Sequence, residues 1–420
     1  MCLQMSTDGT VLIHHVDDFD VCGPEHVLVD LLTNQLPSKG CKLKMGGLEY
    51  PGKTSDRTSE FLGRTKINVE EAAVTKLNSK HIKTILQMLG LENAKPSPVL
   101  GRILELQKDK PLSPDEKETY ASCVGSAIYL SQGRPDIKYS VKELAKHIRE
   151  PRECDMQNLK VLGRYLTGTQ EYGHVIKVLD GVTTKSVPVQ AYCDSDWAGD
   201  GETRKSTSGV VIYLAGTLVE SGAHTQQVAP ATSSGEAEIR SLTECATATL
   251  FVKHLAETAD FGMDVDTPRI WFDSSAALQA SRRMGVGKMR HIAVSHLFIQ
   301  ELVKTKQVII GKVKGEKNPS DVMTKHLPTG EAMKRAVEML SMIDLAQEGL
   351  DRHVTKHKMK AIGALNDETQ EGSNNKNKKL KQCQPCISSV TIRQYLSAVN
   401  RSKKHGGKTD DCDDAHVLAG

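Results

Sequence analysis

Residues 189–200 read VQAYCDSDWAGD, an apolar strand pattern that closes on an acid, Asp194, before Trp197, Ala198 and Gly199 turn the chain. A carboxylate at a strand exit stands where an open α/β sheet presents its site. Asp196, two residues on, shares that face at strand spacing, so either acid could be a ligand, and the immediate turn favours Asp194. Three more stretches place one acid each at an element end: Glu238 in SSGEAEIRSL (233–242), Asp273 in IWFDSSAAL (270–278) and Asp321 in KNPSDVMTKHLP (317–328). Each alone has a plainer reading. Asp194 and Asp196 could be solvated, Ser234 with Glu238 could cap a helix, and Asp273 and Asp321 also sit at helix starts. Against the cap, Ile239 and Leu242 bracket Glu238 and aim it toward the sheet, with Glu236 better placed for solvent. Gathered and buried, such acids repel one another unless a cation joins them. A ligand set of oxygens without clustered Cys or His favours Mg²⁺ or Mn²⁺ over zinc.

The elements around these acids have a clear order. Val189–Cys193 reads as a strand, and Gly209–Leu214 with Leu218–Ala223 as a hairpin. A long helix over Gly235–Ala259 carries Ile239, Leu242, Ala246 and Leu250 on one face. A strand at Arg269–Phe272, a short helix at Ser274–Ser281, a helix at His291–Lys304, a strand at Val308–Val313 and a short helix after Ser320 complete the run. Three antiparallel strands followed by alternating helices and strands make a mixed α/β layer fold.

Upstream, Thr10–His14 and Phe19–Cys22 read as strands on either side of Asp17 and Asp18, and Glu25–Gln35 reads as a helix. Strands are expected at Lys42–Tyr50, at Phe61–Gly63 and over Thr65–Val69. Residues 74–91 carry helical spacing ending at Gly90, and Ser113–Glu116 is a strong helix start, with Pro114 at the first position and acids in the first turn. Helices run from there to Leu166, broken at Gly133–Asp136, and a domain boundary falls near Pro188. The tracts EGSNNKNKKLKQ (371–382) and RSKKHGGKTDDCDD (401–414) are too polar to bury a core. A short helix is expected around Ile387–Val399 within that tail. Cys383 and Cys386 form a lone pair without a second at zinc-finger spacing, so no zinc site is expected.

Lys+Arg 55 against Asp+Glu 52 is nearly even, so any basic surface must be local. Aromatics at 4 % argue against binding by rows of stacked bases. Ten irregularly spaced cysteines fit a reducing compartment. The N-terminus meets charge too early for a signal peptide, and no apolar run approaches the roughly 20 residues of a membrane span. The expectation is a soluble intracellular protein, with no membrane partner and no small-molecule cofactor.

The wording of the motifs resembles the ribonuclease H domain of copia-type LTR retrotransposon Pol polyproteins. That family reads SDADWAGD, RKSTSG, SSTEAEY, DN or DS plus SA, KHI then HFI, and AD-hydrophobic-LTK-x-LP. Here stand CDSDWAGD, RKSTSG (204–209), SSGEAEI, DSSAA, RHIAVSHLFI (290–299) and SDVMTKHLP. Upstream, HHVDDF (14–19) resembles the polymerase turn of a reverse transcriptase and FLGRTKI (61–67) the strand after its primer grip. SCVGSAIYLSQGRPDIKYSV (122–141) and LKVLGRYLTGT (159–169) resemble its thumb and connection. The departures are His15 in place of Tyr, Glu220 and Ser221 in place of Trp-Ser, and Ala293 and Ser295 in place of a polar pair.

The resemblance implies a ribonuclease H-like mixed five-stranded sheet with helices over 189–328. Before it would come a partial reverse transcriptase palm (1–72) and a thumb/connection-like helical region (73–180). A C-terminal helix (329–346) and a polar, disordered tail (347–420) would follow. It further implies endonucleolytic hydrolysis of the RNA strand of RNA–DNA hybrids by two Mg²⁺ or Mn²⁺ ions held by Asp194, Glu238, Asp273 and Asp321. Arg204, Lys205, Ser206 and His291 would contact the substrate. Asp17 and Asp18 would be a vestigial polymerase site, because the chain opens just before it, and DNA synthesis is expected to be lost. Partners would be the hybrid and the upstream polymerase portion of a Pol polyprotein. The location would be cytoplasmic or nuclear, and a virus-like particle in an active element. Competing readings are a catalytically silent remnant that only binds nucleic acid, and an integrase-type strand transferase, against which the Glu early in the long helix argues.

Overall fold

The hairpin and helix signals around Asp194 are realised in a computed structural model. It describes residues 2–5, 10–16, 18–40, 43–45, 58–69, 72–101, 109–177, 186–227, 229–258, 263–287, 292, 294–346 and 387–394. The chain divides into two units, Met1–Leu48 with Ser388–Gly420, and Glu49–Ile387.

The first unit holds strands β1 (Cys2–Met5), β2 (Val11–His15), β3 (Asp18–Pro24) and β4 (Leu43–Met45). Between β3 and β4 run helix α1 (Glu25–Asp30), a π-helical turn over Leu31–Gln35 and the short α2 (Leu36–Ser38). A further strand, Ile387–Gln394, lies between β3 and β4 in the sheet order. A helix was expected there, but Ile387, Val390, Thr391 and Ile392 are β-branched and suit a pleated strand better.

In the second unit β5 (Thr58–Phe61), β6 (Arg64–Val69) and β7 (Ala72–Leu77) form an antiparallel meander. The expected helix over 74–91 is therefore shorter. Residues to Leu77 extend as strand, and helix α3 spans Lys80–Leu89, closed by Gly90 in the left-handed region (φ 64°). Helices α4 (Pro114–Ser131), α5 (Lys138–Lys146) and α6 (Glu153–Gly168) follow, and β8 (Tyr172–Lys177) returns to pair with β7. The predicted start of α4 is a full capping box between Ser113 and Glu116.

The second sheet contains β9 (Val189–Ser195), β10 (Thr207–Leu214), β11 (Thr217–Thr225), β12 (Arg269–Phe272) and β13 (Ile309–Lys312). Its order is β11-β10-β9-β12-β13, antiparallel among the first three and parallel from β9 through β12 to β13. This is the mixed five-stranded, ribonuclease H-like sheet expected from the sequence. Alternation along its strands explains why it is buried on both faces. Val189, Ala191, Cys193, Val210 and Ile212 pack with α7 (Ser234–Glu257), α8 (Ser275–Arg282) and α9 (Phe298–Lys304). Val211 and Leu218 face the other way, into a core shared with α3–α6. Helix α9 is preceded by a 3-10 turn over Val294–Leu297, so the expected helix from His291 is realised only in its later part.

After the sheet, a 3-10 turn spans Pro319–Met323, α10 covers Gly330–Met339, and β14 (Met342–Asp344) pairs with β8. The C-terminal segment thus ends as a strand, not as continuous helix, and extends the first sheet to the order β14-β8-β7-β6-β5. Residues 347–386 and 395–420, read from the sequence as a polar tail containing the Cys383–Cys386 pair, lie outside the described residues. Among the described residues no helix is long and apolar enough to cross a membrane.

Candidate metal centre

Asp194 lies next to the last residue of β9, on the Tyr192 side of the strand, and is 4 % exposed. Its position is fixed from several sides. Ser241 Oγ on α7 donates to its main-chain carbonyl at 2.7 Å, and Thr324 Oγ1 donates to its Oδ2. Asp196 separates from it: its Oδ1 accepts the Thr207 amide, which turns this second acid toward the loop between β9 and β10.

Glu238 reaches the same place from the first turns of α7. Of the two acids there, Glu238 lies on the sheet side, as its bracketing by Ile239 and Leu242 implies, whereas Glu236, expected in solvent, is buried. Ser233, not Ser234, is the cap and accepts the Glu236 amide at 3.2 Å. Glu236 is 1 % exposed, accepts the Thr232 amide and hydroxyl at 2.9 Å each, and pairs with Arg240. With the helix start satisfied by its neighbours, Glu238 is left facing the sheet, 8 % exposed, and its Oε2 has no hydrogen-bond partner.

Asp273 follows β12 directly. Ser274 caps α8 by accepting the Ala277 amide at 3.2 Å, so the cap makes no demand on the acid. Asp194, Glu238 and Asp273 each offer an oxygen within 4.8 Å of the others, and among the described residues this is the one such grouping of possible metal ligands.

Asp321 sits in the turn over Pro319–Met323, which Asn318 fastens to the strand. Asn318 Nδ2 donates to the Cys193 carbonyl at 3.0 Å, and its Oδ1 accepts the Ser320 hydroxyl at 2.6 Å. Asp321 Oδ2 is 2.9 Å from Lys325 Nζ, while its Oδ1 is buried without a partner. Lys325 Nζ is also 4.0 Å from Asp194 Oδ2. Thr324 and Lys325 were not singled out from the sequence. Their signal is position: three and four residues after an acid, a turn returns its side chains to the same side.

The electrostatics match this crowding. Burial, with the charges of Asp194 and Asp273 next, pushes the Glu238 carboxyl up to about 8. Burial and the Asp194 charge push Asp321 up to about 6, against the pull of Lys325. Asp194 is raised chiefly by burial. Without a cation the cluster therefore resists full ionisation. Hard oxygen donors, and two buried carboxylate oxygens with nothing bound to them, fit a divalent cation of the Mg²⁺ or Mn²⁺ type.

The chain is 28 % identical over 349 residues, 79 % of its length, to the retrovirus-related Pol polyprotein from transposon TNT 1-94 of Nicotiana tabacum. It is 31 % identical over 235 residues to an uncharacterised mitochondrial protein of Arabidopsis thaliana, covering 55 % of this chain and 89 % of that one. The chain belongs to the copia-type retrotransposon Pol family. It spans 24 % of the length of the tobacco Pol polyprotein. Among solved structures it is similar to RNase H1 from the halophilic archaeon Halobacterium salinarum NRC-1, at 20 % identity and a TM-score of 0.23, over 33 % of this chain and 94 % of that one. No protein-family model matches the chain.

The other residues singled out by the Pol motifs are distributed unevenly. Arg204 is exposed at a loop tip with φ 55°, and Lys205 Nζ donates to the Gln227 carbonyl at 3.3 Å. Ser206 is 1 % exposed and its Oγ accepts the Ala198 amide at 3.0 Å, so this hydroxyl serves the loop and not a surface. His291 and Asp17 lie outside the described residues. Asp18 begins β3, opposite His15, in the first unit.

Proposed function

We propose that this Pol chain is a ribonuclease H that cuts the RNA strand of RNA–DNA hybrids, with Asp194, Glu238, Asp273 and Asp321 holding two divalent ions, Mg²⁺ or Mn²⁺. The observation that carries the reading is the convergence of three carboxylates from three separate elements to within 4.8 Å. Two such ions, when bound, would supply the Lewis acidity that activates a water and stabilises the leaving 3′-oxygen. The chain's own part is to hold the acids together. Ser241, Thr324 and Asn318 fix the strand end and the turn, so Asp194 and Asp321 are oriented before any ligand arrives. Arg204 and Lys205, on the loop between β9 and β10, suit phosphate contacts, which position a duplex without reading its sequence. A hybrid would be recognised by groove shape and 2′-hydroxyls. The polymerase portion of a Pol polyprotein is the proposed partner in the longer protein.

The test is cleavage of a labelled hybrid by the purified chain with Mg²⁺, and its arrest by EDTA. Asp194→Asn should lower the rate by roughly 10²–10³-fold or more, the scale of losing one preorganised charge-stabilising group. Undiminished cleavage by that variant removes the site. No cleavage by the wild type, with hybrid binding retained, favours the silent remnant.

A further inference from the structure

The acidic cluster is divided unequally. Asp194, Glu238 and Asp273 form the close triad, whereas Asp321 is engaged by Lys325, whose Nζ lies 2.9 Å from Asp321 Oδ2 and 4.0 Å from Asp194 Oδ2. These two carboxylates already share a cation, and that cation is tethered to the chain. The tether is well defined at its root, because the Lys325 amide donates to the Asp321 carbonyl at 3.2 Å and the adjacent Thr324 is bonded to Asp194. Its tip is ion-paired yet able to swing away: the Lys325 side chain is 51 % exposed, on a flexible four-carbon stem.

We infer that Lys325 is a built-in counter-cation occupying the Asp194–Asp321 side of the site, so that divalent ions enter in order, the triad first and the Asp321 side only as the ammonium swings out. This rests on the metal-dependent reading proposed above. The physical basis is short-range charge. An ammonium a few ångströms from two carboxylates neutralises them in place and repels an incoming dication, and Lys325 sits closer to Asp321, at 2.9 Å, than to the triad, which it approaches through Asp194 at 4.0 Å. Lys325 is on this view a positioning residue that grades the two places, and its removal should act on one of them selectively.

The experiment measures Mn²⁺ binding to the full chain at fixed pH by the electron paramagnetic resonance of the free ion, which requires no turnover. The wild type should bind one ion tightly and a second more weakly. Lys325→Gln should tighten the weaker place by on the order of tenfold and leave the tighter within about threefold, since charge effects at this range fall steeply with distance and screening. Lys325→Arg, which keeps the charge, should behave as wild type. Thermal melting in EDTA accompanies each variant, and Lys325→Met serves as a second neutral replacement should Gln perturb the fold. Unchanged binding in Lys325→Gln and Lys325→Met overturns the inference alone. Equal tightening of both places also overturns it, as a general charge effect. A wild type that binds no Mn²⁺ overturns the metal reading and this inference together.

Discussion

Glu236 and Glu238 stand two residues apart on α7, and their different fates show how the site is made. Glu236 has Thr232 and Arg240 as partners and serves the helix start, while Glu238 keeps an unpartnered oxygen and stands with Asp194 and Asp273. Spacing aims Glu238 at the sheet, since Ile239 and Leu242 bracket it, but it leaves Glu236 in solvent, where the structure instead buries it. The distinction depends on Arg240, a turn later, claiming one of them. Gly209 is a quieter determinant. It pairs with Asp194 in the sheet, and a Cβ there would lie 2.8 Å from the Ser320 carbonyl and 2.8 Å from Thr324 Cγ2. The absence of a side chain lets the turn carrying Asp321, Thr324 and Lys325 sit against the strand. Gly209→Ala is expected to cost about 1–3 kcal/mol of stability through overpacking. Because the turn must shift, Mn²⁺ affinity should fall with it. Gly201→Ala, where a Cβ meets nothing within 4 Å, is the control. Denaturant titration and Mn²⁺ binding on the two variants check this, and equal behaviour would remove Gly209 from the account.

At the scale of elements, the break between α4 and α5 has a chemical cause. Arg134 donates from Nε and Nη2 to the two Asp136 oxygens at 2.9 and 2.7 Å, and to the Thr169 carbonyl and hydroxyl at 2.8 Å each. Tyr165 adds a third donor to Asp136 at 2.8 Å, and the pair is 3 % and 1 % exposed. The fork fixes where α5 begins relative to the end of α6. Asp136→Leu leaves a buried guanidinium unpaired and should cost roughly 3–5 kcal/mol, whereas Arg134→Met with Asp136→Leu should cost far less. Urea unfolding of the single and double variants decides this, and a double variant as unstable as the single would show that the pair is not the cause. The sequence signalled the break at Gly133–Asp136 but not the partners, because Tyr165 and Thr169 lie about 30 residues away and only the fold brings them close. The same limit applies to β7. Leu77 fits the helical spacing of 82, 85, 86 and 89, yet Ala72–Leu77 is captured as a strand by β6 and by the distant β8. Local periodicity served over most of 189–328, where hairpin and helix patterns agree with their surroundings, though the helix expected from His291 begins only at Phe298. It failed where pairing with remote segments overrides propensity. The acids at element ends were legible by type and position, while Lys325 as their internal counter-cation was not, since only the turn geometry aims it inward.

Within the second unit, the two sheets are joined through shared helices. Three lysines on α5 reach the ribonuclease H-like sheet and its loop. Lys138 donates to the Ser221 carbonyl, Lys142 to Thr207 Oγ1 at 2.5 Å, and Lys146 to Asp200 Oδ2 at 2.7 Å. After the last acid, α10 and β14 carry the chain back to the first sheet, so residues on both sides of the site support one core. His174 stands at this junction, between Thr75 of β7 and Met342 of β14. Burial, assisted by the Arg64 charge, holds its imidazole down at about 4, and its Nε2 is buried without a hydrogen-bond partner. The unfolded chain would protonate this group near its ordinary value of 6.5. Between the two values the unfolded state binds a proton that the folded state refuses, so folding stability drops as pH falls from 6.5 to about 4 and is unaffected above that window. The full loss amounts to roughly 3 kcal/mol, from about 1.4 kcal/mol for each pK unit. His174→Gln cannot take up this proton, and its stability should decline less over the same range. Urea titrations of both proteins at pH 7.5 and at pH 4.5 give the comparison. A difference between wild type and variant that widens in the variant's favour at the lower pH supports a half-buried neutral histidine joining the two parts of the unit. A difference independent of pH would show that His174 is readily protonated in the folded chain.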